Sequence, residues 1–187
     1  ETPGQQGISV MPTIGYMKIS PDGKKLALAV YGASAPSTLG LGGFQLFDFD
    51  ASSGVIYNSL ILLNAPNAIG GPYGVEFSQD GTKLYGTASP SINNMPATLY
   101  QWDICSQFTT AIIASQYSLN LGNVGGAGLQ RAIDNKIYLS LSLPGGTQSI
   151  SVINNPNSSG LSMNYFYNGQ SIAPGIMSIG FPNYINP

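Results

Sequence analysis

Two segments of this sequence follow the same pattern, and this internal repeat constrains the fold more than any other feature. The segment GYMKISPDGKKLALAV, residues 15–30, returns as YGVEFSQDGTKLYGTA, residues 73–88. A third, weaker copy is LQRAIDNKIYLSL, residues 129–141, in which Asp-Asn replaces Asp-Gly. A period of about 55 residues is typical of solenoids, propellers and other arrays, so the chain must be built from similar units.

Each copy places its Asp-Gly or Asp-Asn pair between two short apolar runs, a pattern that predicts a β-hairpin. Glycine tolerates the positive φ that most residues avoid, so we expect positive φ at Gly23 and Gly81. The carboxylates of Asp22 and Asp80 are expected to accept hydrogen bonds from nearby backbone N–H groups. Calcium binding is the alternative, but one carboxylate per turn supplies too few ligands.

A second series of hairpins alternates with the first. The segment FQLFDFDASSGVIYNSLILL starts at Phe44, TLYQWDICSQFTTAIIAS at Thr98 and SISVINNPNSSGLSMNYFY at Ser149. Each contains an apolar run, a polar turn and another apolar run, so each repeat is predicted to hold four strands. No segment shows a sustained 3.6-residue period with caps, and we therefore expect little helix.

Consecutive four-stranded antiparallel units are typical of an all-β protein with the β-propeller fold. We predict blade-like units at 14–66, 72–115 and 126–168 and a closing strand within 172–187, all in one propeller domain that spans 1–187. Strands that are apolar on both faces fit this fold, because each blade packs between two others. A β-sandwich is the alternative, but it does not require copies at a fixed period.

Three units and one strand are fewer than the roughly four to eight blades that close a propeller. The sequence therefore predicts part of a larger propeller of about seven blades, completed by blades of the same polypeptide or of a companion chain. The first unit and the segment 172–187 should then expose apolar faces, and the isolated chain should self-associate.

Seven motifs follow one another along the chain: GYMKISPDGKKLALA, FQLFDFD, YGVEFSQDGTKLY, LYQWDI, NKIYLSL, SVINNPNSSG and GFPNYI. In this order they resemble the C-terminal part of the WD40-like propeller of large secreted surface proteins of Bacteroidota. Those proteins often end in a gliding-motility-associated, type IX secretion sorting domain. Gln79 stands where the family usually has Pro, and Met163 where it often has Cys. The resemblance implies an extracellular location, at the bacterial cell surface.

Composition excludes several function classes. The chain has no His, which excludes a Ser-His-Asp or Cys-His catalytic arrangement and a Cys/His zinc site within it. We expect no metal and no cofactor. Six Lys and Arg residues are too few for a nucleic-acid surface. No apolar run approaches the roughly 18 residues of a membrane-spanning helix.

Few side chains remain as candidates for chemistry. Asp48 and Asp50 lie at i and i+2 of one strand, which fits the carboxylate pair of a glycosidase or a metal site, although Asp50 more simply begins a turn. Glu76 is predicted to face the channel or the solvent, and Arg131 to pair with an Asp or line the channel. The single Cys105 is predicted to be a buried small apolar residue.

Aromatic side chains could stack on sugars, but most are expected in the blade core, as are Tyr85, Tyr100, Trp102 and Tyr138. Two others, Tyr73 and Tyr184, are predicted to lie in loops and are better candidates for a surface contact. The function that the sequence favours is a non-enzymatic scaffold, adhesion or protein- or glycan-interaction module. The alternative is part of a propeller enzyme, a lactonase or a glycan-active lyase or hydrolase, whose catalytic residues lie on other blades.

Overall fold

The computed structural model describes residues 15–31, 42–64, 71–90, 96–178 and 180–181. These residues form three four-stranded antiparallel sheets, here called blades 1, 2 and 3. Blade 1 contains β1 (Met17–Ile19), β2 (Lys25–Val30), β3 (Gly43–Asp50) and β4 (Val55–Asn64). Blade 2 contains β5 (Pro72–Phe77), β6 (Lys83–Ala88), β7 (Ala97–Asp103) and β8 (Tyr117–Gly122). Blade 3 contains β9 (Gly125–Arg131), β10 (Ile137–Ser142), β11 (Ser149–Ile153) and β12 (Tyr165–Ser171).

The blades pack face to face in chain order. Within each blade, strands that follow one another in sequence are hydrogen-bonded neighbours, so every sheet is a simple meander. The first strands of the blades, β1, β5 and β9, lie next to one another and are here called the inner strands. The central strand β6 is buried along its whole length because a blade covers each of its faces. The all-β, partial β-propeller fold predicted from the repeat is therefore confirmed.

The second blade differs from its prediction in one segment. The apolar run at the end of the predicted unit 72–115 is a short helix, α1 (Thr109–Ala114), and not a strand. The fourth strand is Tyr117–Gly122 instead, so the blade extends past residue 115. The helix forms because it buries Ile112, which is 4% exposed, in the core between blades 1 and 2. The other helical element of the described residues is the 3-10 turn Gly160–Met163.

The repeated turn has the predicted backbone geometry. Gly23 and Gly81 have φ of 71° and 69°, so the expected positive φ is confirmed at both, and Asn135 of the third copy has φ of 66°. The N–H of Gly23 donates to the carbonyl of Ser20 at 2.9 Å. Glycine is thus the last residue of a four-residue turn, with its positive φ matching the twist of the strands that follow.

Carboxylates hold these turns together. Asp22 accepts hydrogen bonds from the hydroxyl of Ser20 at 2.6 Å and from the N–H of Lys24 at 3.1 Å. Asp80 accepts equivalent bonds from Ser78 at 2.7 Å and from the N–H of Thr82 at 3.0 Å. The predicted role of the two Asp residues in binding the local backbone is confirmed.

The predicted closing strand at 172–187 is only partly described. Its residues 172–178 and 180–181 form no strand, apart from a single antiparallel bridge between Met177 and Thr147. The backbone turns at the start of this segment, where the N–H of Gly175 donates to the carbonyl of Ile172 at 2.8 Å. Pro174 lies within that turn and lacks the N–H that a ladder needs, which explains why no strand begins here. Residues 182–187 lie outside the described part.

Candidate functional site

Three side chains at the same repeat position meet at the inner strands. Lys18 in β1, Glu76 in β5 and Gln130 in β9 each precede their turn by the same distance. The Lys18 Nζ lies 3.3 Å from Glu76 Oε2 and donates to Gln130 Oε1 at 2.8 Å. One residue from each blade therefore contributes to a single polar cluster, here called the inner cluster.

Both carboxylate oxygens of Glu76 are engaged. Its Oε1 accepts from the N–H of Phe77 at 3.0 Å, and its Oε2 accepts from the N–H of Arg131 at 3.0 Å. The side chains of Lys18 and Glu76 are only 14% and 5% exposed. Glu76 therefore lies at the inner strands but is not solvated, and it compensates a buried cation and two backbone N–H groups. This geometry fastens three blades together rather than presenting a proton donor to a substrate.

Two tyrosines continue the inner cluster toward one end of the inner strands. The rings of Tyr16 and Tyr73 are 5.4 Å apart, and Lys18 Nζ lies 5.9 Å from the centre of the Tyr16 ring. The Tyr16 hydroxyl accepts from the N–H of Phe181 at 3.2 Å. Burial and the neighbouring Tyr16 raise the pKa of Tyr73.

Tyr73 and Tyr184 are the two aromatic residues that were predicted to lie in loops as candidates for a surface contact. Tyr73 lies in strand β5 and is half-buried against Tyr16, so its assignment to a loop was wrong. A strand is possible there because Pro72, at its first residue, needs no ladder N–H. Tyr184 lies outside the described residues.

Asp48 and Asp50, considered from the sequence as a carboxylate pair, bind separate partners. Asp48 accepts from Lys25 Nζ at 2.7 Å and from Asn58 Nδ2 at 2.7 Å. Its hydrogen bond to Lys25 lowers the pKa of Asp48. Asp50 accepts from the hydroxyls of Ser52 and Ser53, which lower the pKa of Asp50 to about 2. The interpretation of Asp50 as a turn-initiating residue is confirmed.

Every acidic residue that the structure describes accepts hydrogen bonds from the protein itself. These residues are Asp22, Asp48, Asp50, Glu76, Asp80, Asp103 and Asp134. Within the described ranges, no three His, Cys, Asp or Glu side chains come close enough together to hold a metal ion. The carboxylates are therefore distributed among separate turns and ion pairs.

Two polar clefts lie away from the inner cluster. One, of about 480 Å³, runs between blade 1 and helix α1, with Lys25, Asp48 and Asn58 on its polar side. The other, of about 320 Å³, lies on blade 3 and is lined by Asp134, Asn135, Asn154, Asn155, Pro156, Asn157 and Ser158. Its amide and hydroxyl groups offer donors and acceptors that suit sugar hydroxyls.

Of the remaining candidates, three are core residues, whereas Tyr138, which was also predicted in the core, and Cys105 are not. Tyr85, Tyr100 and Trp102 are buried as predicted, at 0%, 5% and 0% exposure. Tyr138 is half-buried, and its hydroxyl donates to Asp134 Oδ2 at 2.8 Å, while burial and this carboxylate raise the pKa of Tyr138 to about 12.

The predicted burial of Cys105 was wrong, because the thiol is exposed. The residue follows β7 and begins the connection to α1, where the chain leaves the sheet. Partial burial and the neighbouring Asp103 raise the pKa of the Cys105 thiol, which disfavours the reactive thiolate.

Glu76 was a candidate from the sequence, whereas its partners Lys18 and Gln130 were not. A signal was present, because alignment of the three copies on their Asp residues places Lys18, Glu76 and Gln130 in one column. Three polar residues at the same position of three strands, between neighbours that are mostly apolar, indicate a shared polar environment.

Comparisons with known proteins give no family. No protein-family model matches the sequence, and no curated protein matches it. Among solved structures, hydrazine synthase of Kuenenia stuttgartiensis is 17% identical, with a TM-score of 0.46 over 73% of this chain and 38% of that one. The holo form of the pyranose dehydrogenase PQQ domain from Coprinopsis cinerea is 13% identical, with a TM-score of 0.49 over 83% of this chain and 38% of that one. Similarity at this level carries no information on activity, substrate or cofactor.

A search of the described residues for a helix of sufficient length and apolarity to cross a membrane found none.

Proposed function

We propose that this protein is a non-enzymatic β-propeller module of a secreted bacterial surface protein, with a scaffold, adhesion or protein- or glycan-interaction role. The family is proposed to be the WD40-like propellers of Bacteroidota surface proteins that the seven motifs resemble. The propeller architecture itself rests on the three four-stranded blades. Secretion and surface display rest on the resemblance alone.

The single observation that carries the non-enzymatic role is the engagement of the acidic side chains. Acid–base and nucleophilic catalysis need a titratable group that can reach a substrate. The chain has no His, and each described carboxylate already accepts hydrogen bonds within a turn, an ion pair or the inner cluster. What these blades offer instead is rigid polar surface, of which the amide-rich cleft on blade 3 is the best candidate for a glycan.

The experiment that tests this function separates binding from turnover. The purified chain is applied to a glycan array and, in parallel, incubated with lactone and uronic-acid polysaccharide substrates. We expect binding that Asn155→Ala and Asn157→Ala weaken, because both amides line the cleft, and no substrate turnover. Asn58→Ala, which removes an amide outside that cleft, is the matched control.

Turnover that disappears in Glu76→Gln or Asp48→Asn would contradict the non-enzymatic role and would place catalytic residues on these blades, and not on the other blades that the alternative requires. Export is tested separately, by fusing the chain to a type IX sorting domain in a Bacteroidota host and measuring surface accessibility to added protease. Retention of the fusion inside the cell would contradict the proposed surface location.

A further inference from the structure

The repeated turn of blade 3 differs from the other two in its side chains. In blades 1 and 2 the turn Asp accepts a hydrogen bond from a serine two residues before it, Ser20 or Ser78. The corresponding residue of blade 3 is Ala132, which has no hydroxyl. The carboxylate of Asp134 is therefore not held by its own turn in this way, and it lines the amide-rich cleft on blade 3.

The glycine of the turn is also replaced in blade 3. Asn135 has φ of 66°, close to the 71° and 69° of Gly23 and Gly81, and its N–H donates to the carbonyl of Ala132 at 2.9 Å. Asparagine adopts this conformation more readily than most residues other than glycine. The backbone of the turn is thus kept, while an amide side chain is added to the lining of the cleft.

A third difference lies at the end of the third strand. In blades 1 and 2 this position holds an Asp that pairs with a Lys of the second strand, as Asp48 does with Lys25 at 2.7 Å. The strand register of blade 3 places Asn154 at the same position. Asn154 also lines the cleft. All three differences between blade 3 and the other blades therefore add or release a polar side chain at one cleft.

Hydrogen bonds fix the orientation of two amides in the cleft. Asn154 Nδ2 donates to the carbonyl of Asn164 at 3.2 Å, and Asn155 Nδ2 donates to the carbonyl of Ser162 at 3.4 Å. Because a carbonyl oxygen only accepts, these bonds determine which end of each amide is the nitrogen. The amide oxygens of Asn154 and Asn155 are the ends that remain for a ligand.

Asp134 gives the cleft its charge. It accepts from the hydroxyl of Tyr138 at 2.8 Å and from the N–H of Lys136 at 3.2 Å. A carboxylate has about four acceptor sites, so roughly two remain for a ligand. The lining that the structure describes contains no Lys or Arg side chain, and Lys136 contributes only this N–H to Asp134. The cleft therefore presents hydrogen-bond acceptors and one uncompensated negative charge.

We propose that the amide-rich cleft on blade 3 is selective for neutral, hydroxyl-rich sugars and excludes sugars that carry a carboxylate, and that Asp134 determines this selectivity. Adjacent sugar hydroxyls donate to Asp134 and to the amide oxygen of Asn154 or Asn155. A carboxylate on the sugar would meet the charge of Asp134, with no cation in the lining to compensate it. This inference rests on the proposed glycan-binding function and names the class of sugar that the site takes.

The experiment compares three matched pairs of trisaccharides by isothermal titration calorimetry with the full chain. The gluco, manno and galacto trimers are each paired with the corresponding uronate, which differs only by oxidation at C6. The buffer has low salt, because salt screens the charge of Asp134, and contains EDTA, because a divalent cation would bridge two carboxylates. We expect at least one neutral trimer to bind, and to bind at least about tenfold more tightly than its uronate.

Two single substitutions of the same type separate a local effect from a change in net charge. Asp134→Asn keeps the shape of the side chain and should bind the uronate at least about fivefold more tightly than the unmodified chain does, because the repulsion is removed. A gain in binding of this kind does not arise from a folding defect. Asp22→Asn removes the same charge from the equivalent turn of blade 1, outside the cleft, and should leave both affinities unchanged.

A further variant restores the turn of blades 1 and 2. In Ala132→Ser with Asn135→Gly, the serine competes with the ligand for Asp134 and the glycine removes an amide. Binding of the neutral trimer should weaken at least about tenfold without a loss of stability in urea. Equal affinities for the two members of a pair, or no gain in uronate binding by Asp134→Asn, would overturn this inference and leave the glycan-binding function standing. Binding of none of the six trimers would overturn both.

Discussion

The two interfaces between blades use the same repeat positions for different chemistry. In the first interface, between blades 1 and 2, Phe44 packs over Gly86 and lies 5.3 Å from the ring of Trp102. In the second interface, between blades 2 and 3, Tyr85 and Gln101 form a hydrogen-bonded pair at 2.6 Å. Away from the inner cluster, one interface is therefore held by apolar packing, and the other carries a polar connection within its apolar core.

The cause of this difference lies in the connection between the third and fourth strands of the following blade. In blade 2 that connection contains α1, whose buried Ile112 packs in one cluster with Ala27 and Leu46 of blade 1. In blade 3 the connection is a turn with accessible backbone groups. Gln101 donates to the carbonyl of Ser158 at 2.7 Å and accepts from the N–H of Gly160 at 2.8 Å.

The residues that differ occupy equivalent sites. Tyr85 has the place of Ala27, and Gln101 has the place of Leu46, by strand register. The residues at these two sites of each blade are thus apolar or polar according to the connection of the next blade that packs on them. The blades are not interchangeable, although their turns are nearly identical, and the following predictions test this difference between the two interfaces.

The largest effect is expected from removing the aromatic ring of the first interface. Phe44→Ala should lower the free energy of unfolding by about 3–5 kcal/mol, because it leaves a cavity beside Gly86 and Trp102. Urea denaturation followed by Trp102 fluorescence measures this loss. Phe166→Ala, at a side chain that is 60% exposed, is the control and should change stability by less than about 0.5 kcal/mol. A cost for Phe44→Ala as small as the control's would show that packing of this ring does not hold the first interface.

The second interface should respond to the loss of its amide. Gln101→Leu leaves the buried hydroxyl of Tyr85 and the N–H of Gly160 with fewer partners and should cost about 1–3 kcal/mol. Gln45→Leu makes the same chemical change on the face of blade 1 opposite Phe44, where Gln45 is half-buried, and should be neutral or stabilising in the same denaturation assay. If Gln101→Leu were also neutral, the polar connection would contribute nothing and the two interfaces would be energetically alike.

The elements predicted from the sequence are those whose signal is local. The Asp-Gly turns specify their own geometry, and their period located the blades. Helix α1 could not be predicted in this way, because the segment Thr109–Ala114 has no side-chain cap and only six residues. What makes it a helix is the site for Ile112 in the core between blades, and that site exists only after the blades have packed.

The inner cluster was predictable only in part. Glu76 was identified as a strand residue with an unusual charge, but its partners Lys18 and Gln130 are remote in sequence. The distances between these side chains depend on the angle between successive blades at the inner strands. The residue pattern of a single strand does not determine that angle. The exposure of Cys105 has a similar origin, since it depends on where the chain leaves blade 2 for α1.

A smaller loss of stability, equal in blades 1 and 2, is expected from changes in the Asp-Gly turns, because these turns are the part of the repeat that the two blades share. Gly23→Val and Gly81→Val should each cost on the order of 1 kcal/mol or more, because a β-branched residue is strained at positive φ. Space does not limit the change, since an added Cβ at Gly81 would have its nearest neighbour at 3.9 Å. Asn135→Gly should be neutral or slightly stabilising. Thermal unfolding of the three variants would contradict this interpretation if both Val variants were neutral.

The smallest effect concerns the connection of blade 1 that corresponds to α1 and to the polar turn of blade 3. Here Asp50 accepts hydrogen bonds from Ser52 and Ser53, and the pKa of Asp50 falls from 3.8 to about 2. A lowered pKa in the folded state means that the ionised carboxylate stabilises the fold above pH 3.8 and that this contribution disappears as the pH falls toward 2. Asp50→Asn should therefore flatten part of the acid limb of a stability–pH curve measured by urea denaturation. Ser53→Ala removes one donor and should move that limb to higher pH, since the carboxyl then loses less of its affinity for protons. Identical acid limbs in the three proteins would mean that this connection holds no fixed structure, and it would then differ from its counterparts in blades 2 and 3 in order as well as in chemistry.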